Sequence, residues 1–114
     1  MSQTNHEITL EQAVAMVSRY RKALPSMLQT AYTGSLPFAE TFDKAVFEKL
    51  TSVTGCRSIR SYLGLDEKNQ ITMIFTAVDD KNNDILPDQG GSLLEFGDRC
   101  PPICGVGPLN PSTT

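Results

Sequence analysis

The chain has 114 residues, 39% hydrophobic and 20% charged, with a net charge of −3 and a pI near 5.0. That is enough chain for one modest core, expected as a single α+β domain over residues 1–114. The composition excludes a membrane-spanning apolar run, and the lack of a basic stripe excludes a nucleic-acid binder, which needs clustered Lys and Arg to displace counterions from phosphate. The charge is uneven, +2 over residues 1–60 and −5 over residues 61–114. No basic segment followed by an apolar one opens the sequence, so a cytoplasmic location is expected for its three cysteines.

Residues 1–8 are polar and expected to fray. Thr9-Leu10-Glu11-Gln12 has the form of a capping box, and apolar residues recur at Leu10, Ala13, Val14, Val17, Tyr20 and Leu24. This predicts a first helix ended by Pro25. It would place Arg19, Arg21 and Lys22 in the last turns, near the negative end of the helix dipole; a solvated C-terminal turn is favoured over an anion site there. Residues 26–40 read as a connector holding at most a short helix, with Gly34 as a stop. A second amphipathic helix runs through Phe42, Val46, Phe47, Leu50 and Val53, with Thr41 or Asp43 as cap and Gly55 as its left-handed terminator. Cys56, next to Gly55, is expected to be buried and inert.

The middle of the chain carries the clearest signal. From Arg57 to Leu65, Ile59, Ser61, Leu63 and Leu65 share one face, and Ser58, Arg60, Tyr62 and Gly64 the other. From Gln70 to Val78 both faces are apolar or β-branched, which suits a central strand. Asp66-Glu67-Lys68-Asn69 joins the two runs as a hairpin turn, and Asp79 to Asp84 closes the second. The predicted hairpin is therefore about 57–65 paired with 70–79, packed under both helices. A third strand could begin at Ile85 but is cut short by Pro87. Residues 87–114 hold five Pro and five Gly, which rules out long elements; interspersed Leu93, Leu94, Phe96, Ile103, Val106 and Leu109 predict an ordered covering coil with a short strand near 92–96.

Few residues suggest chemistry. Cys100-Pro-Pro-Ile-Cys104 offers three readings: a rigid loop with structural or idle thiols, which the missing helix start favours; a disulfide or redox pair; or half a metal site, for which only Cys56 and His6 remain as further ligands. Asp80-x-Asn82-x-Asp84 begins like a calcium loop, but Ile85 stands where glycine is required and Gly91 where a bidentate glutamate is, so an Asx-rich turn is the better account. His6 is the sole histidine, and no Cys-His or Ser-His pair is evident. Gly105-Val106-Gly107 lacks the strand and helix of a phosphate cradle. Arg57 and Arg60 beside Tyr62 form a small polar patch, read as solvated. No catalytic residue, cofactor or metal is indicated.

The spaced combination of Tyr20-Arg21, Gly55-Cys56, Ile59-Arg60-Ser61-Tyr62-Leu63-Gly64-Leu65-Asp66, Asn83-Asp84 and Cys100 to Cys104 resembles a group of small uncharacterised proteins from Bacteroidota. The resemblance covers roughly residues 9–109. It implies that Arg60, Tyr62, Cys100 and Cys104 belong to one recurrent design, and it carries no activity. The functional expectation is a non-enzymatic interaction module, self-associating through a sheet face or edge. It is motivated by the apolar second face of residues 70–78 and the few elements available to cover it. The alternative is a small thiol-redox or metal-binding protein centred on Cys100 and Cys104.

Overall fold

The computed structural model describes residues 6–95 and 97–110, and it is α+β, with two helices and five strands in two antiparallel sheets. The expectations for Phe96, Pro111 and the first five residues lie outside the described residues. The chain divides into two compact units, residues 1–33 with 104–114, and residues 34–103.

In the first unit, helix α1 (Leu10–Met27) starts at the expected capping box. The Thr9 hydroxyl accepts from the Gln12 N–H at 3.0 Å, and the Gln12 side chain accepts from the Thr9 N–H at 2.8 Å. Its end corrects the sequence reading: Pro25 lies inside the helix, which continues to Met27. A proline this near the C-terminus forfeits a single helical hydrogen bond, so the last turn survives it. Arg19, Arg21 and Lys22 are therefore not in the last turn, and the dipole argument for them falls. Arg21 instead donates to the Asn110 side-chain oxygen at 2.8 Å. The Asn110 amide in turn donates to the carbonyls of Cys104 (2.7 Å) and Gly105 (2.6 Å), tying the last described residues to the helix. A 3-10 turn at Thr30–Tyr32 stands where a short helix was expected.

The second unit is built on the predicted hairpin. Strand β1 (Ala39–Thr41) and helix α2 (Lys44–Thr51) precede β2 (Ser58–Leu65) and β3 (Ile71–Val78); β4 (Leu93–Leu94) and β5 (Asp98–Cys100) follow. One sheet has the order β2-β3-β4, so β3 is the central strand, and β1 pairs with β5 in a second, two-stranded sheet. The β2–β3 register pairs Ser58 with Val78 and Leu65 with Ile71. Asp66 sets the turn: one carboxylate oxygen accepts from the Lys68 and Gln70 N–H groups, and Asn69 takes a positive φ. Gly55, at φ +86°, allows the chain to leave α2 and enter β2.

The core lies between α2 and the face of the sheet carrying Ile59, Phe75 and Ala77. Leu50 is fully buried against Ala77 and Ile85, with Val53, Cys56 and Leu94 around them. Phe42, Phe47 and Phe75 meet edge to face, with ring centres 4.9–6.4 Å apart, and fix the helix on β3. No strand forms at Ile85; its N–H donates to the Ala77 carbonyl at 2.9 Å, and Asp84 bridges to Val78. The β1–β5 pair forms in segments whose sequence predicts only a connector and a covering coil.

That second sheet seals the part of β3 that β4 is too short to reach. The Ile71 N–H donates to the Ser35 carbonyl at 2.7 Å, the Met73 N–H to a Glu40 carboxylate oxygen at 3.0 Å, and the Arg99 guanidinium to the Ile71 carbonyl at 2.5 Å. Arg99 also donates to the Ser35 carbonyl at 2.9 Å. Burial raises the Glu40 carboxyl above its ordinary value of 4.5, outweighing the Met73 N–H and the Arg99 charge, with Glu95 adding to the rise. The unfolded chain therefore releases this proton at lower pH than the folded one. Between the ordinary value and the raised one, the contribution of Glu40 to stability falls as pH rises. Glu40→Gln keeps an acceptor for Met73 but cannot titrate. We expect its urea-unfolding stability to vary less from about pH 4 to about pH 7 than that of the wild type.

Candidate functional site

The outward turn of β2 collects the polar side chains. Arg60 and Tyr62 lie two residues apart on one face, and both reach over the sheet to Asp84. Arg60 Nη1 is 2.7 Å from Asp84 Oδ1, the Tyr62 hydroxyl donates to Asp84 Oδ2, and Arg60 Nη2 donates to the Asn82 side-chain oxygen at 2.8 Å. The Tyr62 hydroxyl first, and the Asp84 carboxylate after it, hold the guanidinium above its ordinary range, so it stays charged at any working pH. Arg60 is paired with Thr76 in the ladder and Asp84 with Val78, so the ion pair lies across β3 above those two residues. Both are buried. Arg60 is thus no solvated arginine but half of a cover over the second face of the sheet.

This changes where the unsatisfied apolar surface lies. The second face of β3, expected to need shielding, is shielded at Thr76 and Val78 within the chain. Within β2 and β3 the exposed aliphatic residues sit on the core-facing side, past the reach of α2: Leu63 is 73% exposed, Leu65 55% and Met73 39%, while Tyr62 is exposed on the other face. The reason is length. An eight-residue helix spans roughly 12 Å, whereas an eight-residue strand spans roughly 26 Å, so α2 covers only the Ile59 half of the hairpin.

The Asp79 to Asp84 segment is an Asx turn. Asp79 Oδ1 accepts from the Lys81 and Asn83 N–H groups, both at 2.9 Å, and Asn82 takes a positive φ. Asp84 faces Arg60 rather than the loop interior, so the ligand pattern of a calcium loop is not assembled. Cys56 is a half-buried free thiol beside the Ser58 carbonyl. Among the described residues, no three or more His, Cys, Asp or Glu converge as a metal site, and no helix is long and apolar enough to cross a membrane.

The four residues singled out from the sequence fall into two places. Arg60 and Tyr62 share the Asp84 network in the three-stranded sheet; Cys100 ends β5 in the other sheet, with Cys104 four positions on. Cys100 and Cys104 are joined by a disulfide, which corrects the leading expectation of a rigid loop with structural or idle thiols in favour of the second, a disulfide pair. Cys100 is buried at the end of β5 and Cys104 is exposed. The partner role of Asp84 was missed: it lies 24 residues from Arg60, and only the register of the hairpin brings it within reach.

Comparison with protein-family models, curated proteins and solved structures finds no match.

Proposed function

We propose that this protein is a non-enzymatic interaction module that associates with itself through the β2 side of its three-stranded sheet. One observation supports the reading above others: Leu63, Leu65 and Met73 form a contiguous apolar patch in water, beside the outer edge of β2, which no described strand pairs. Large side chains clustered in this way lose free energy on burial, about 25 cal/mol for each Å² removed from water, and a strand edge supplies the hydrogen bonds to orient a partner. Sedimentation from micromolar to millimolar concentration is expected to show reversible association. Leu63→Lys should weaken it by at least about tenfold while circular dichroism stays unchanged. A wild-type chain that sediments as a monomer throughout would overturn the reading.

The Cys100–Cys104 disulfide favours a second reading, a thiol-redox element. Metal binding at the same pair requires the bond to be reduced first, since thiolates are the ligands. The disulfide weighs against the cytoplasmic location expected from the sequence, because such bonds persist where the surroundings are oxidising. Thiol titration of the native chain decides between them: one reactive thiol, at Cys56, keeps the disulfide structural, whereas ready opening by a mild dithiol supports the redox reading.

A further inference from the structure

Resting on the self-association reading, we infer that the occupant of the open β2 edge is β2 of a second copy, antiparallel, with the two-fold axis at Tyr62.

The phase of the ladder determines which groups are available. The Asp66 N–H donates to the Gln70 carbonyl at 2.9 Å, and the paired register runs from there in steps of two. Even-numbered residues of β2 therefore bond to β3. Odd-numbered ones, Ile59, Ser61, Leu63 and Leu65, turn their N–H and C=O groups outward. On β3 the odd-numbered residues face the other way, and those groups are met by Ser35, Glu40, Arg99, β4 and Ile85. The outer edge of β2 has no such seal among the described strands.

The sequence Arg57 to Glu67 is complementary to its own reverse about Tyr62. In that register Arg57 stands opposite the partner's Glu67, Ile59 opposite the partner's Leu65, Ser61 opposite the partner's Leu63, and Tyr62 opposite the partner's Tyr62. Symmetry makes each unlike pair twice. Arg57 and Glu67 are both exposed and lie just outside the two ends of β2, Arg57 with its N–H turned inward to the Val78 carbonyl, so in this register they meet by charge at the ends of the pairing and add no ladder bond to it. The neighbouring registers lack this match: an axis at Ser61 sets Arg57 against the partner's Leu65, and an axis at Leu63 sets Ile59 against the partner's Glu67. Pairing about Tyr62 also lays the exposed Leu65 beside the partner's Ile59, at the margin of the partner's covered core face. The product is one continuous six-stranded sheet.

Arg57→Glu and Glu67→Arg test the register. Both sites are exposed, so each variant should fold as the wild type does, with thermal melts as the check. Alone, each variant brings two like-charge pairs together and should self-associate about tenfold more weakly in sedimentation. Mixed in equal amounts, they restore both opposite-charge pairs and should form a heterodimer close to wild-type affinity. Net charge alone cannot imitate this, because Glu67→Arg moves the chain from −3 towards zero and would then strengthen association. If the wild type dimerises but the variants match it, or their mixture stays as weak as its components, the Tyr62-centred register is wrong and self-association stands. If the wild type remains monomeric, the second copy is not the occupant and both readings fall.

Discussion

Replacing Leu50 by alanine is expected to destabilise the unit of residues 34–103 by about 3 kcal/mol. Leu50 has no exposed surface and is wedged between Ala77 and Ile85, with Val53, Ile59, Phe75 and Leu94 around it. Truncation removes three carbons from water-free contact and leaves a cavity that β3, held on both edges, cannot collapse to fill. The loss should lower the thermal midpoint by more than about 10 °C. Leu50→Met, which nearly conserves volume, should cost less than about 1.5 kcal/mol. Urea unfolding monitored by far-ultraviolet circular dichroism checks both. Equal losses for alanine and methionine would show that shape at this position, not lost burial, governs the effect.

The second large effect is expected at Gly91. A methyl group there would lie 1.8 Å from the Ile85 carbonyl oxygen and 3.1 Å from that of Leu86. Both obstacles are backbone, so no side-chain rotation relieves the overlap. The Ile85 segment must move, and with it the hydrogen bond from Ile85 to the Ala77 carbonyl and the burial of Ile85 in the core. Gly91→Ala should cost about 3 kcal/mol. The neighbouring Gly90 is the control. Its φ of +89° disfavours a side chain, but nothing lies within 4 Å of the added carbon, so Gly90→Ala should cost only about 1 kcal/mol. A reversed order of the two losses would contradict the close approach at Gly91.

The hairpin was legible because its information is local. Alternation in residues 57–65, a two-faced run in 70–78 and an Asx turn between them are all written within a span of 22 residues, and the observed strands differ from the expected ones by a residue at most ends. The capping box at Thr9, the helix through Leu50 and the stop at Gly55 were equally local. What escaped was long-range or short. Strands β1 and β5 have three residues each and pair Ala39 with Cys100, so neither shows a period, and a proline-rich context disguises the second. The general rule that proline ends a helix fails at Pro25 because this residue sits in the last turn of α1. At the candidate site, Arg60 and Tyr62 were found but their shared acceptor was not, since Asp84 looked like one turn residue among several. On the second face of residues 70–78, Thr76 and Val78 are buried, and it is Leu63, Leu65 and Met73 on the core-facing side that stay exposed. Sequence reveals which residues are apolar, but the short reach of α2 decides which of them stay wet.

The stoppered far side of β3 has a bearing on how large any assembly grows. With Ser35, Glu40 and Arg99 occupying the groups of Ile71 and Met73, and only the two residues of β4 beyond, a joined pair of sheets offers newcomers no long bare ribbon at either flank. If two chains join along β2 as proposed, accretion by strand addition would halt there instead of running on into fibres.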